Sequence, residues 1–321
     1  PASTRRGTYS IEDDPRKNPY HYEIMTSAPP AHSLEVPEGE PERPVDMDPN
    51  NPEGEAGVPF KWIRTEEEIR ELLAHLKEER VKEIAIDLEH HSFRTYQGIV
   101  CLMQLSTRWG DYIIDTLSDA VRESAELLNE AFADPEKVKI LHGASHDVLW
   151  LQRDLGLYLV NLFDTYHASH ILNFPMHGLA YLLQRYCDFE ADKRYQLADW
   201  RIRPMPKEMV YYARSDTHSL IYIYDRLRAE LRLAGGNNAI KEVFDRSKHT
   251  ATKVYAKEEW SEEGEGNDGW KAMWFRMSME GKKEREERLA LDLPESKEMR
   301  LFKAIHKWRD QLAREEDESP R

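Results

Sequence analysis

Three distant segments carry side chains whose types and spacing could perform metal-assisted hydrolysis. Asp87-Leu88-Glu89 closes the apolar run Ile84-Ala85-Ile86. Residues two apart in a strand share a face, so both carboxylates project together where the chain leaves the sheet. Two like charges that close are costly unless a cation compensates them, and Mg²⁺ or Mn²⁺ prefers carboxylate and water oxygens. The competing reading is an Asp-x-Glu pair that simply faces solvent. Asp147 ends the stretch His142-Gly143-Ala144-Ser145-His146-Asp147 and opens a helix, as a further ligand or as a first-turn acid favoured by the helix dipole. Tyr212 and Asp216 stand four apart, one turn along a helix on the same face. There the carboxylate could hold a metal while the phenol orients a water; alternatively the ring packs and the acid is exposed.

The surrounding pattern supplies the elements that must position these groups. Thr65 followed by Glu68 is a capping box ahead of Ile69, Leu72, Leu73 and Leu76 at helical spacing. Residues 83–90, 99–107, 111–115 and 138–141 read as strands, with a turn around Trp109-Gly110. Helical spacing occupies residues 117–132 and then runs from Asp147 almost to Leu233. Strands first, then strand and helix in alternation, predict an α/β architecture with a mixed central sheet flanked by helices. Residues 1–57 read as an extended acidic arm in which Pro29, Pro30, Pro37, Pro41, Pro44, Pro49 and Pro52 oppose helix and central strand. Tyr9, Tyr20, Tyr22 and Ile24 are its candidates for docking onto a folded surface. Residues 58–235 form the main domain, closed by Ala234-Gly235-Gly236. Residues 236–267 read as a polar linker, and residues 268–321 as a partial helical segment with Leu301, Ile305, Trp308 and Leu312 in register.

Composition alone does not name a function. The formal charge of −15 is awkward for a phosphate-binding protein, but the acid is concentrated in the arm. Lys193, Arg194, Arg201, Arg203, Lys207 and Arg214 gather base in one stretch. The only cysteines, Cys101 and Cys187, predict a reducing compartment rather than a disulfide framework. No apolar run reaches membrane-spanning length. The chain opens at Pro1 without a basic-then-apolar leader and without Met, and is expected to be part of a longer protein.

Taken together, Asp87, Glu89, Asp147 and Asp216, with Tyr212 four residues before the last acid, match the DEDD exonuclease signature in its tyrosine branch. The histidine branch would place His where Tyr211 stands; His218 lies on the wrong side. The segments Asp87-Leu88-Glu89-His90-His91, 101–107 and 195–204 resemble the eukaryotic RNase D-like exoribonucleases associated with the nuclear RNA exosome, over residues 58–235. Trp308-Arg309-Asp310 and residues 317–321 resemble the opening of a helicase-and-RNase-D C-terminal (HRDC) domain, whose later helices have no counterpart here.

The resemblance implies an RNase H-like fold and 3′–5′ hydrolysis of RNA to nucleoside 5′-monophosphates with two Mg²⁺ or Mn²⁺ ions. It also implies a nuclear and nucleolar setting and exosome partners. Asp87 is then the bridging ligand, Glu89 and Asp216 hold the nucleophile-side metal, and Asp147 acts on the other largely through water. Tyr212 orients the attacking water. Trp150 becomes a stacking surface for the terminal base, His90 a ribose contact, and Lys193 a contact to phosphate or base. Without it, Trp150 reads nearly as well as a core tryptophan and His90 equally well as a structural histidine, while Lys193 reads better as a solvated lysine. Asp164 is a turn or helix-capping residue rather than a ligand. A silent RNA-binding scaffold would lack the intact acid set, and a DNA exonuclease of the same fold would be separated by matched RNA and DNA substrates.

Overall fold

The computed structural model describes residues 18–36, 39–93, 95–190, 192–256, 260–264, 269–277 and 297–317, the Lys193 side chain excepted. Tyr9 and residues 318–321 lie outside them. The chain divides into two compact units, Pro1–His91 with Val100–Tyr255, and Ser92–Ile99 with Ala256–Arg321.

The larger unit is built on a six-stranded mixed sheet. Its strands are β1 Phe60–Ile63, β2 Glu83–His91, β3 Ile99–Thr107, β4 Gly110–Ile114, β5 Val138–Leu141 and β6 Leu162–Asp164, in the order β1-β4-β3-β2-β5-β6. β2 runs parallel to β5, β5 parallel to β6, and β3 antiparallel to β4. The strand read from residues 83–90 is therefore central. Its alternation sorts side chains between two cores: Ile84, Ile86 and Leu88 enter one, and Ala85 enters the other beside Val138, Ile140 and Phe163. By the same alternation Asp87 and Glu89 lie on the Ala85 face, at the carboxyl end of the strand.

Several elements differ from the sequence reading. β1 and β6 have four and three residues, too few for an alternating pattern to register, and each gains its place by parallel pairing with a longer neighbour. The helix expected over 117–132 is three short turns, Asp119–Ser124, the 3₁₀ turn Ala125–Leu128 and Asn129–Phe132. The boundary set at residue 235 and the linker from 236 are replaced by a kink. One helix, Leu220–Ala251, bends at Gly235 and at Gly236, whose φ of 65° is open to glycine at no steric cost. Its second half buries Ile240, Val243 and Phe244 against Phe163.

The described part of the arm is docked, and between its prolines it forms two short helices, His21–Thr26 and Ala31–Leu34. Ile24 is buried in the core. The folded unit grips the arm mainly through main-chain carbonyls. Arg228 donates to the carbonyls of His32, Ser33 and Glu35, each at 3.1 Å, and its other end is held by Asp225 at 2.7 Å. Asn161 donates to Ala28 O, and Arg232 to Leu34 O.

In the smaller unit the helices Trp270–Met277 and Lys297–Glu315 pack Trp274 on Phe302. Leu301, Ile305, Trp308 and Leu312 do share a helix face, as their spacing predicts, but that face is exposed. Tyr96 donates to Asp310, and Arg314 lies over its ring. Cys101 and Cys187 are buried, and neither is in a disulfide. No helix among the described residues is long and apolar enough to cross a membrane.

Arg228→Met leaves Asp225 paired with Arg108 but strands three carbonyls, that of Ser33 buried and those of His32 and Glu35 partly so. It is expected to cost roughly 2–4 kcal/mol of unfolding free energy and to open the arm to limited proteolysis near Ser33, with denaturant melts as the measure. An unchanged midpoint and cleavage pattern would show that the arm does not depend on these bonds.

Candidate active site

Oxygens of Asp87, Glu89 and Asp216 all lie within 4.8 Å of one another. Asp87 is half-buried at the end of β2, and Glu89 and Asp216 are buried. Asp216 comes from the helix Lys207–His218, which places Tyr212 one turn earlier on the same face. Asp147 is also buried, and it begins the short helix Asp147–Trp150 beyond β5. It stands outside the 4.8 Å circle, yet its charge acts on Glu89 and it feels that of Asp87.

Electrostatics separate these four acids from the other buried ones. Asp111 is paired with Arg214 and His218, Asp115 with Arg203, and Asp225 with Arg108 and Arg228. Among the described residues, no Lys, Arg or His forms an ion pair with Asp87, Glu89, Asp147 or Asp216. Burial pushes the Asp87 carboxyl up to about 7. Burial and then neighbouring carboxylates push Glu89, Asp147 and Asp216 well above the usual range. Gln104, donating to Glu89 at 3.4 Å, offsets little of this. An all-oxygen, uncompensated donor set of this kind fits a hard divalent cation, which would remove the repulsion that burial amplifies. The Tyr212 phenol is pushed up by burial and then by Asp216, so it stays protonated.

The supports were less visible in the sequence. Asp111 on β4 accepts from Arg214 Nε at 2.8 Å, His218 Nδ1 at 2.7 Å and Ser106 Oγ at 2.7 Å, while Ser106 reaches Thr217. This network fastens the back of the Asp216 helix to the sheet. His218, which lies on the wrong side of Asp216 for the histidine branch, is thus a brace; its Nε2 bonds Val45 O of the arm at 2.8 Å. Asp164 caps the helix Thr165–Ile171 through Tyr166 N, as its position predicts. It also accepts from Gly143 N at 2.7 Å and Ala144 N at 3.0 Å, and so shapes the loop that delivers Asp147. Gly143, with φ 69°, makes that turn without strain.

The candidate nucleotide contacts divide. Trp150 is half-buried and lies flat on His90, with centroids 4.2 Å apart and planes 2° from parallel, and His146 stacks at 5.6 Å. Burial, and then Arg153, pull the His90 ring down to about 4. The Lys193 side chain lies outside the described atoms. The basic stretch is largely neutralised: Arg194 pairs with Asp192, Arg201 with Asp199, Arg203 with Asp115 and Arg214 with Asp111. It is mostly bracing, because each arginine has an acid within reach that spacing could not reveal.

Two acids at the end of β2 and two more on helices outside the sheet fit the 3′–5′ exonuclease class of nucleases. The family model described as 3'-5' exonuclease matches residues 60–232. The chain is 42% identical to the exosome complex exonuclease RRP6 of Saccharomyces cerevisiae over 95% of its own length, and 38% identical to exosome complex component 10 of Homo sapiens over 97%. It spans 38% and 32% of the length of those relatives. The crystal structure of the catalytic core of RRP6 from Trypanosoma brucei superposes with a TM-score of 0.78 at 37% identity, covering 94% of this chain and 75% of that one. The chain belongs to the 3′–5′ exonuclease family, in its RRP6 branch.

The raised Asp87 value has a testable sign. The ordinary value is 3.8 and the folded one about 7, so between them the folded chain holds a proton that the unfolded chain releases. The stability this provides is full below the lower value and is lost as pH rises through the upper one. In chelator, the melting temperature should fall across that window more steeply for the native chain than for Asp87→Asn, and added Mg²⁺ should flatten the fall. Equal slopes for the two chains in chelator would contradict the raised carboxyl.

Proposed function

We propose that the chain is the catalytic portion of an RNA 3′–5′ exoribonuclease, releasing nucleoside 5′-monophosphates in nuclear and nucleolar RNA processing and decay alongside the exosome. The observation that carries this reading is the convergence of Asp87, Glu89 and Asp216 without a cationic side chain among them. The RRP6-type relatives support RNA as substrate and the exosome as partner.

Two divalent ions, Mg²⁺ or Mn²⁺, would supply the positive charge that activates a water and stabilises the leaving 3′-oxygen. Asp87, Glu89 and Asp216 would hold these ions and Asp147 would act as an outer ligand, leaving the ions open to the water that attacks. Tyr212 orients that water. Because its phenol is held protonated, it serves as a hydrogen-bond partner rather than as the base. Trp150 provides a stacking face for the terminal base, a contact worth roughly 1–3 kcal/mol in single-strand binders. His90 meets the ribose, and Lys193 a phosphate or base. We assign residues 58–235 to the exonuclease domain, with the kinked helix extending it, and residues 268–321 to the start of an HRDC domain.

RNA labelled at its 3′ end should release a labelled mononucleotide at once in Mg²⁺ or Mn²⁺ and nothing in chelator. The 5′-labelled strand should shorten as a ladder. Release of the 3′ label on oligonucleotides rather than on a mononucleotide would instead indicate an endonuclease. Asp87→Asn is expected to abolish release while RNA binding persists, and wild-type turnover by that variant would remove the assignment. Tyr212→Phe should slow cleavage by roughly a hundredfold with metal affinity retained; an unchanged rate would take the phenol out of the site.

A further inference from the structure

The Trp150 helix does not continue regularly. After Asp147–Trp150 the chain enters one π-helical turn, Leu151–Leu155, and ends at Gly156, whose φ is 63°. Such single wide turns cost hydrogen-bond geometry and recur where side chains must be re-aimed. Here the turn buries two consecutive charged side chains, Arg153 at 5% and Asp154 at 9% exposure. Asp154 accepts from Arg153 Nε at 2.6 Å and from Val100 N at 2.6 Å. The terminal guanidinium nitrogen of Arg153 that completes the pair with Asp154, at 2.9 Å, also lies 3.1 Å from His90 Nε2.

That contact fixes the histidine. A guanidinium only donates, so His90 Nε2 must accept, and the single proton of the neutral ring stands on Nδ1. The same bond holds the ring in the plane that stacks on Trp150. Arg153 is itself braced from behind, where its guanidinium faces the Tyr255 ring at 5.6 Å. Gln152 secures that strap, donating to Lys253 O at 2.7 Å and accepting from Tyr255 N at 3.2 Å.

We propose that Arg153 is a positioning residue of the terminal-nucleotide subsite. It fixes the His90 imidazole as the Nδ1-protonated tautomer and flat against Trp150, so that the subsite offers a ribose hydroxyl a donor beside a stacking platform. This rests on the reading of His90 and Trp150 as nucleotide contacts, and the test is chosen to fail separately from catalysis.

In the full chain labelled with ¹⁵N-histidine, His90 should show a pyrrole-type Nδ1 and a pyridine-type Nε2 at neutral pH. The reverse pattern, or an average of the two, overturns the proposal without any variant. Adenosine 5′-monophosphate, the reaction's product class, is the binding probe. Arg153→Met should weaken its binding and raise KM for RNA about tenfold, as expected for loss of a charged hydrogen bond. It should leave kcat within about twofold, because the metal-binding acids are untouched. Arg153→Lys, which keeps a donated charge, should restore part of the affinity and the Nδ1-protonated signature. Unchanged affinity and tautomer in a folded Arg153→Met protein would reduce Arg153 to a structural ion pair. A chain that binds the nucleotide through this tautomer yet cuts no RNA would refute the proposed function and leave the role of Arg153 standing.

Discussion

Carboxylates that repel one another are held together away from water, and much of the larger unit can be understood as what it takes to hold them. Two full charges 4.8 Å apart at an effective dielectric near 20 repel by about 3 kcal/mol, and the cluster contains more than one such pair. A flexible loop would relieve that cost by moving. Asp87 and Glu89 cannot move, because β2 is flanked by β3 and β5 and its alternate residues are locked in two cores. Asp216 cannot move, because its helix is fastened on the far side by Arg214 and His218 to Asp111. The repulsion is thereby retained as affinity for a compensating cation.

The distribution of positive charge follows from the same constraint. A buried arginine near the cluster would neutralise it and remove the reason for metal to bind. The arginines of this acidic chain are instead engaged with acids elsewhere, with Arg203 on Asp115, Arg108 and Arg228 on Asp225, and Arg214 on Asp111. Net charge was therefore a poor guide to function. What matters is which acids lack a cationic partner: among the described residues the four that the signature singles out do, while Asp164, buried without a cation as well, is satisfied by main-chain N–H groups.

How far the sequence revealed this depends on the range of each signal. The Asp-x-Glu pair and the Tyr212–Asp216 turn were legible because strand and helix periods place neighbouring residues on one face. The capping box at Thr65 was legible for the same local reason. Convergence of the segments was not a local property, and only the resemblance supplied it. The three-residue β6 and the kink at Gly235-Gly236 were missed because parallel pairing and helix packing decide them from a distance. The π turn carried no sequence mark at all. Trp150 and His90 could be named from the sequence and Arg153 was not, and their assembly depends on one extra-wide turn that residue spacing does not announce.

The arm shows how a composition that opposes regular structure can still be specifically bound. Proline lacks an N–H but keeps its carbonyl, so a proline-rich segment presents more acceptors than donors. Arginine has the opposite imbalance, with five N–H groups and no acceptor. The two are complementary without any particular side chain on the arm: Arg228 takes three of its carbonyls, and Arg214 takes those of Pro52 and Gly54 at 2.9 and 2.6 Å. Arg214 lies on the helix that carries Tyr212 and Asp216, and it also pairs with Asp111. The same guanidinium therefore satisfies the main chain of the arm and braces the catalytic helix. A segment that reads as disordered by its residues is bound through the one part of it that the residues do not specify.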